Sequence, residues 1–289
     1  MGRAPCIAAM GAAAAVLLAS QPAAAAPSGY AKPQRILSMN LCADMLLLEL
    51  VPKPRIAAVT YLAHDGAEAL FPGADAGIAI NHGTAEDIIN LKPDLILAGA
   101  FSTPLTRRLA KAIGAPIVEV PDATSFDDIR RNLHQVGAAV GEPARAETLV
   151  ARMDADLAAL AALPARPPVR VIAWSGGDSV PGKETLSGRI IEAAGAVNIA
   201  ARPGQTYGAI DVEELLAARP DALLYGGGGP LKPSIRGEEG QHRVLRRLYA
   251  GRRIVYSDIA HTCGLPQSAR SALDLRRTLD ALPQQRAGR

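Results

Sequence analysis

From Pro33 onward, short apolar runs rich in Ile, Leu and Val alternate with stretches whose apolar residues recur at helical spacing. The series reads RILSM, CADMLLLEL, RIAAVT, AEDIINL, DLILAG, IVEV and FDDIRRNLHQVGAAVG. Such alternation predicts parallel strands joined by crossover helices, an α/β fold. The first series closes near Gly141. Pro143 then stands where a first helical turn tolerates it, and Leu149, Val150, Met153, Leu157 and Leu160 follow at helical spacing up to Pro164. This predicts a helix of about 20 residues, about 30 Å long and able to bridge two lobes. Pro164, Pro167 and Pro168 break it before the strand VRVIAW. The alternation then resumes through IIEAAGA, VEELLAA, DALLYGG, VLRRLYA and RIVYSD to a final helix from Ser268 to Leu282.

The long helix alone is compatible with an ordinary crossover in one large sheet. An internal repeat decides for two lobes. Glu86 opens EDIINLKPDLILAG and Glu213 opens EELLAARPDALLYG, and in both a carboxylate pair starts a short helical register, Pro-Asp follows a Lys or Arg, and an apolar strand ends in Gly. Two related lobes imply a cleft between them. The duplicated acidic residues mark a partner that grips both halves.

Residues 1–26 carry Arg3, an apolar run from Ile7 to Leu18 and an Ala-rich segment before Pro27, the three parts of a secretory signal, with cleavage expected among Ala24, Ala25 and Ala26. A membrane anchor would need about 20 apolar residues, more than this run supplies. The exported chain of roughly 260 residues is long enough for one large or two smaller cores. The net charge of the full sequence, +3, is spread along the chain without a Lys/Arg block, so it lacks the footprint of a nucleic-acid binder.

Catalytic signatures are absent: the chain contains no GxSxG, HExxH or CxxC, and its five histidines are scattered. GGGG lacks the GKS or GKT ending of a phosphate loop. His64, His82 and His261 fall in predicted strand-end loops, where a metal or haem site is conceivable. Cys42 follows the first strand and Cys263 the last. Three readings stay open for the pair, a disulfide across the lobes, a soft ligand pair or two packed thiols, with packing or ligand contact preferred. Tyr61, Phe101, Trp174 and Tyr207 also lie at strand ends or just after them, where α/β proteins place ligands, and aromatic faces suit large planar ones. Lys183, Arg189, Lys232 and Arg236 are loop cations available to an anionic ligand.

AEDIINLKPDLILAG and DVEELLAARPDALLYGG, with GKETL and the terminal YSD in support, carry a family likeness. From RILSMNLCADMLLLEL to SALDLRRTLDAL the chain resembles a periplasmic substrate-binding protein of the cobalamin and ferric-siderophore class, the receptor that feeds an ABC importer. The resemblance implies two Rossmann-like lobes with mostly parallel sheets, residues 33–141 and 166–285, joined by one long helix within 142–165 and closing only modestly on ligand. It implies that Glu86 and Glu213 meet arginines of the membrane permease. It places Tyr61 and Tyr207 at aromatic ligand contacts and Asp258 at an acidic one, while two positions that carry Trp in the cobalamin-binding member read Ile80 and Gly99 here, with Phe101 close by.

The expectation is a periplasmic, monomeric receptor that performs no chemistry and holds no cofactor of its own. Its transported ligand is cobalamin or a ferric chelate. The expected ligand contacts are Cys42, Tyr61, His64, Phe101, Trp174, Tyr207, Asp258, His261 and Cys263. Its partners are the permease and its ATPase, which dock it at the membrane. Alternatives are a haem receptor, with Met39, Tyr61 or His261 as axial groups, a metal-ion receptor, and an exported enzyme on the same scaffold.

Overall fold

The computed structural model describes residues 32–99, 104–174, 179–227 and 243–282. The expected signal segment 1–26, Phe101, Lys232 and Arg236 lie outside the described residues. The N-terminal lobe runs β1 (Ile36–Ser38), α1 (Leu41–Leu50), β2 (Ile56–Thr60), α2 (Ala63–Leu70), β3 (Ile80–Asn81), α3 (Ala85–Leu91), β4 (Leu95–Gly99), α4 (Pro104–Ala112), β5 (Ile117–Val120) and α5 (Phe126–Ala139). Its strands form one sheet in the order β3-β2-β1-β4-β5, parallel throughout. Strands β1 and β4 are buried along their whole length. Being covered on both faces is why they read as continuous apolar runs and not as an alternating pattern.

The connecting helix α6 (Pro143–Ala161) has Pro143 in its first turn and buries Leu149, Val150, Met153 and Leu160 of the predicted stripe together with Ala146, while Leu157 is only partly buried. It packs against α5 so closely that a side-chain carbon on Gly137 would come 2.4 Å from the Ala146 methyl. The C-terminal lobe follows as β6 (Val169–Trp174), β7 (Val180–Pro181), α7 (Leu186–Ala193), β8 (Ala196–Asn198), β9 (Tyr207–Gly208), α8 (Val212–Ala218), β10 (Ala222–Gly227), α9 (Arg243–Leu248), β11 (Arg253–Ser257), α10 (Asp258–Thr262) and α11 (Gln267–Asp280). Its sheet has the order β11-β10-β6-β8, again all parallel, with β7 and β9 paired antiparallel beside it. Among the described residues no helix is long and apolar enough to cross a membrane.

One apolar core passes from the N-terminal lobe into the C-terminal one. Ile36, Leu47, Leu97 and Leu133 share it with Met153 of α6, with Leu186 and Ile190 of α7, and with Leu265, Ala269 and Leu273 beside and along α11. Helix α6 packs against both α5 and α11, so the bridge lies within packed structure.

In each sheet the chain starts near the middle and the strand order reverses there, between β1 and β4 in one lobe and between β6 and β10 in the other. Ligands of open α/β sheets bind beyond the carboxyl ends of the strands at such switch points.

Candidate functional site

At both switch points the second strand brings a glycine against a polar side chain of a neighbouring helix start. A side-chain carbon on Gly99 would lie 2.6 Å from the Asn40 amide, and one on Gly226 would lie 2.6 Å from Asp258 Oδ1. Asn40 caps α1 by accepting from the backbone of Cys42 and Ala43, and Asp258 opens α10. A side chain at Gly99 would have to displace the Asn40 cap, so an aromatic ring does not fit there as α1 now starts.

In the N-terminal lobe, Tyr61 follows β2 and is 58% exposed. Its ring stacks on His82, which follows β3, with centroids 5.5 Å apart and planes inclined by 23°. The Tyr61 amide donates to the Asn81 carbonyl at 3.1 Å, and buried Asn81 donates from Nδ2 to the Ser38 carbonyl at 2.9 Å, so three strand ends are tied together. Beneath them Asp44 of α1 accepts from both the amide and the hydroxyl of Thr60. Burial pushes its carboxyl up to about 6, against the opposing pull of these hydrogen bonds.

In the C-terminal lobe, Tyr207 on β9 is 56% exposed. Its phenol is pushed up first by partial burial, then by the negative charges of Asp258 and Asp122. Asp258 belongs to the same lobe, whereas Asp122 stands just past β5 in the other. The tyrosine thus senses one carboxylate from each half. Asp122 is not among the expected residues, yet like His82 it occupies the place that singled out Tyr61, the first polar or aromatic side chain after a parallel strand.

Several expected contacts are corrected. Trp174 is 5% exposed and stacks on Tyr225 within the lobe core, centroids 5.2 Å apart; the two residues are register partners on β6 and β10, so their rings share one face. His261 is not in a loop but in α10, 1% exposed, with Nδ1 3.0 Å from Ser187 Oγ and Nε2 2.9 Å from Ser271 Oγ. Burial pulls it down to about 3. A neutral ring with both nitrogens engaged is a packing element, leaving neither nitrogen for a ligand. His64 lies in α2, exposed, with Nδ1 2.9 Å from the Asp75 carboxylate; that hydrogen bond raises its affinity for a proton. Cys42 and Cys263 form a disulfide, which removes the packed-thiol and soft-ligand readings. Arg189 is held by Glu184 and Glu192. Among the described residues no three metal-ligating side chains cluster.

Glu86 and Glu213 occupy the same position, second in α3 and second in α8, and both are exposed. The helix starts are capped by other residues, Thr84 with Asp87 in one case and Asp211 accepting from the Glu214 amide in the other. Both glutamates therefore keep free carboxylates, with no hydrogen bond or ion pair among the described residues. The duplication extends to the helix ends. Lys92 and Arg219 both adopt the left-handed conformation, with φ 44° and 47°. Arg35 donates to the carbonyls of Leu91 and Lys92, Arg170 to those of Ala218 and Arg219, and Asp94 and Asp221 accept from the amides of Arg35 and Arg170.

Two parallel-sheet lobes carrying one corner twice, on a helical bridge, match a known architecture, and residues 48–248 fit the family model described as periplasmic binding protein. The chain belongs to the periplasmic binding protein family. It is 29% identical over 206 residues to the cobalamin-binding protein of Halobacterium salinarum, an alignment covering 68% of this chain and 54% of that protein. The chain thus spans about half the length of the curated relatives it matches. Among solved structures it resembles the periplasmic heme-binding protein RhuT from Roseiflexus sp. RS-1, at 25% identity and a TM-score of 0.67, covering 85% of this chain and 97% of that one. The vitamin B12 binding protein BtuF of Vibrio cholerae, at 18% identity and a TM-score of 0.64 over 88% and 99% of the two chains, shares the fold.

Proposed function

We propose that this periplasmic binding protein is an exported receptor that captures a metal chelate between its lobes and delivers it to the permease of an ABC importer. The halves 33–141 and 166–285 act as jaws on the connector 142–165. The observation that carries the reading is an exposed tyrosine in each lobe, Tyr61 just past β2 and stacked on His82, and Tyr207 on β9, which feels the charge of Asp122 from the other lobe. Two aromatic faces with a polar rim suit a large flat ligand.

The acidic rim selects among chelates. Asp122 and Asp258 favour a ligand decked with amide or amine donors and disfavour carboxylates at that edge, which points to cobalamin, or an iron-siderophore complex without free anionic arms, before haem. A second reading, haem, has its own support in the Tyr61–His82 pair, which offers an oxygen and a nitrogen donor on an exposed face, and in the likeness to RhuT. Either ligand leaves the receptor chemically unchanged. Absorbance titration of the purified protein with cyanocobalamin and with haemin separates the two readings. Saturable band shifts with cyanocobalamin are expected, weakened at least tenfold in Tyr61→Ala and Tyr207→Ala. Shifts confined to haemin and lost in Tyr61→Phe would transfer the function to haem, and recovery of a modified ligand would replace the receptor by an enzyme.

A further inference from the structure

Cys42 lies in the first turn of α1, where its amide donates to the Asn40 cap at 2.9 Å, immediately beyond the central strand β1 of the N-terminal lobe. Cys263 closes α10, whose first residue is Asp258, immediately beyond the edge strand β11 of the C-terminal lobe. The disulfide, 221 residues apart in sequence, therefore joins the segments that follow one strand end from each lobe. A second tie runs parallel to it: Gln267, at the start of α11, donates from Nε2 to Glu49 Oε1 near the end of α1 at 2.9 Å. Helix α1 is thus clamped to the corner between α10 and α11 covalently at its start and by a hydrogen bond near its end.

Left to itself α10 has little to hold it. It has five residues, too few to persist on intrinsic helix stability. It is placed by Ser257, which accepts from the Ala260 amide, by Ser268 Oγ, which donates to the Ala260 carbonyl, by His261 between two serines, and by the disulfide at its end.

We propose that the Cys42–Cys263 disulfide is a positioning element of the ligand cleft, fixing α10, the helix that carries Asp258, to the start of α1 in the other lobe, so that tight capture requires an oxidised chain. The proposal rests on the receptor reading for its affinity arm and stands apart from it in its exchange arm. A ligand that meets a floor already set loses less freedom on binding, and the gain appears mainly as slower release.

The test compares the mature protein oxidised, reduced and re-oxidised, together with the Cys42→Ala/Cys263→Ala variant, all held well below their unfolding transitions. In the affinity arm the probes are cyanocobalamin and haemin. Reduction is expected to raise the dissociation constant of whichever one binds by about tenfold, mainly through faster release, with recovery on re-oxidation. In the second arm, amide hydrogen exchange is followed along the chain without ligand. Exchange over residues 258–262 and 41–44 is expected to accelerate at least tenfold on reduction, while α3 and α8 keep theirs. Unchanged exchange at α10 overturns the proposal whatever binds. Accelerated exchange with unchanged release of a bound probe overturns its link to capture. If neither probe binds the oxidised protein, the choice of ligand fails and the exchange arm still decides.

Discussion

Two buried groups, Asp44 on α1 and His261 on α10, titrate in opposite senses. Asp44 is raised from 3.8 to about 6 by burial, so the folded chain holds its proton more tightly than the unfolded one. Its contribution to stability is complete below pH 3.8 and is lost as pH rises through about 6. His261 is lowered from 6.5 to about 3 by burial, so the unfolded chain takes up a proton that the folded chain refuses. Its contribution is complete above pH 6.5 and is lost as pH falls toward 3. Between pH 4 and 6 the two slopes oppose, each limited to about 1.4 kcal/mol per pH unit. Asp44→Asn removes one of them while its oxygen still accepts from the Thr60 amide. The variant is expected to match or exceed the wild-type urea midpoint at pH 7.5, and to gain about 1 kcal/mol of stability per unit from pH 4 to pH 6, where the wild type stays nearly level. A variant profile as level as the wild type would show that His261 is not the group sensed there. The same residue scale explains what sequence could not announce. That Trp174 faces inward depends on which side of the sheet a strand's last residue takes, and that parity comes from its pairing with Tyr225.

At the scale of elements, most of the fold was legible because parallel strands covered on both faces must be spelled as apolar runs, and because Pro at the start and apolar spacing mark α6. Helix α10 was not legible. Five residues carry no periodicity, and its start depends on a Ser257 cap whose partner appears only in the folded chain. The repeated KPD and RPD corners were legible, though their reason lies in three dimensions. Each helix end turns through a left-handed Lys or Arg, leaves its last carbonyls open, and needs an arginine from the first strand of its lobe or that strand's lead-in to close them, with the Asp holding that strand's backbone. Arg35 and Arg170 should therefore matter equally. Arg35→Ala and Arg170→Ala are each expected to cost about 1 kcal/mol in urea unfolding, with Arg→Lys recovering only part, because the lysine stem is more flexible and lacks the planar, pre-organised fork of the guanidinium. A loss at one site and none at the other would mean that the two corners, alike in geometry, are not alike in energy.

For the molecule as a whole, the connector is fastened at both ends. Arg55 donates to the Val140 carbonyl and pairs with Glu142 just before α6, and beyond it Arg276 donates to the Pro164 carbonyl while Arg166 pairs with Asp280. With its flanks packed on α5 and α11 and one core running through, α6 is held from both lobes. Rigid coupling has a consequence for docking. If the lobes hold nearly the same separation empty and loaded, Glu86 and Glu213 present a fixed pair of carboxylates, and a partner bearing two arginine clusters gains from both at once, the second contact being effectively intramolecular. Reversing one charge then removes that advantage as well as one ion pair. Glu86→Arg and Glu213→Arg are each expected to reduce uptake of cyanocobalamin, in cells carrying the cognate permease and ATPase, by at least tenfold, and the double reversal to abolish it. The dissociation constant of the isolated receptor should stay within twofold, since neither carboxylate has a partner within the described chain to lose. Uptake that survives the double reversal would remove the paired glutamates from the docking face, and a parallel loss of affinity would place them in the cleft instead.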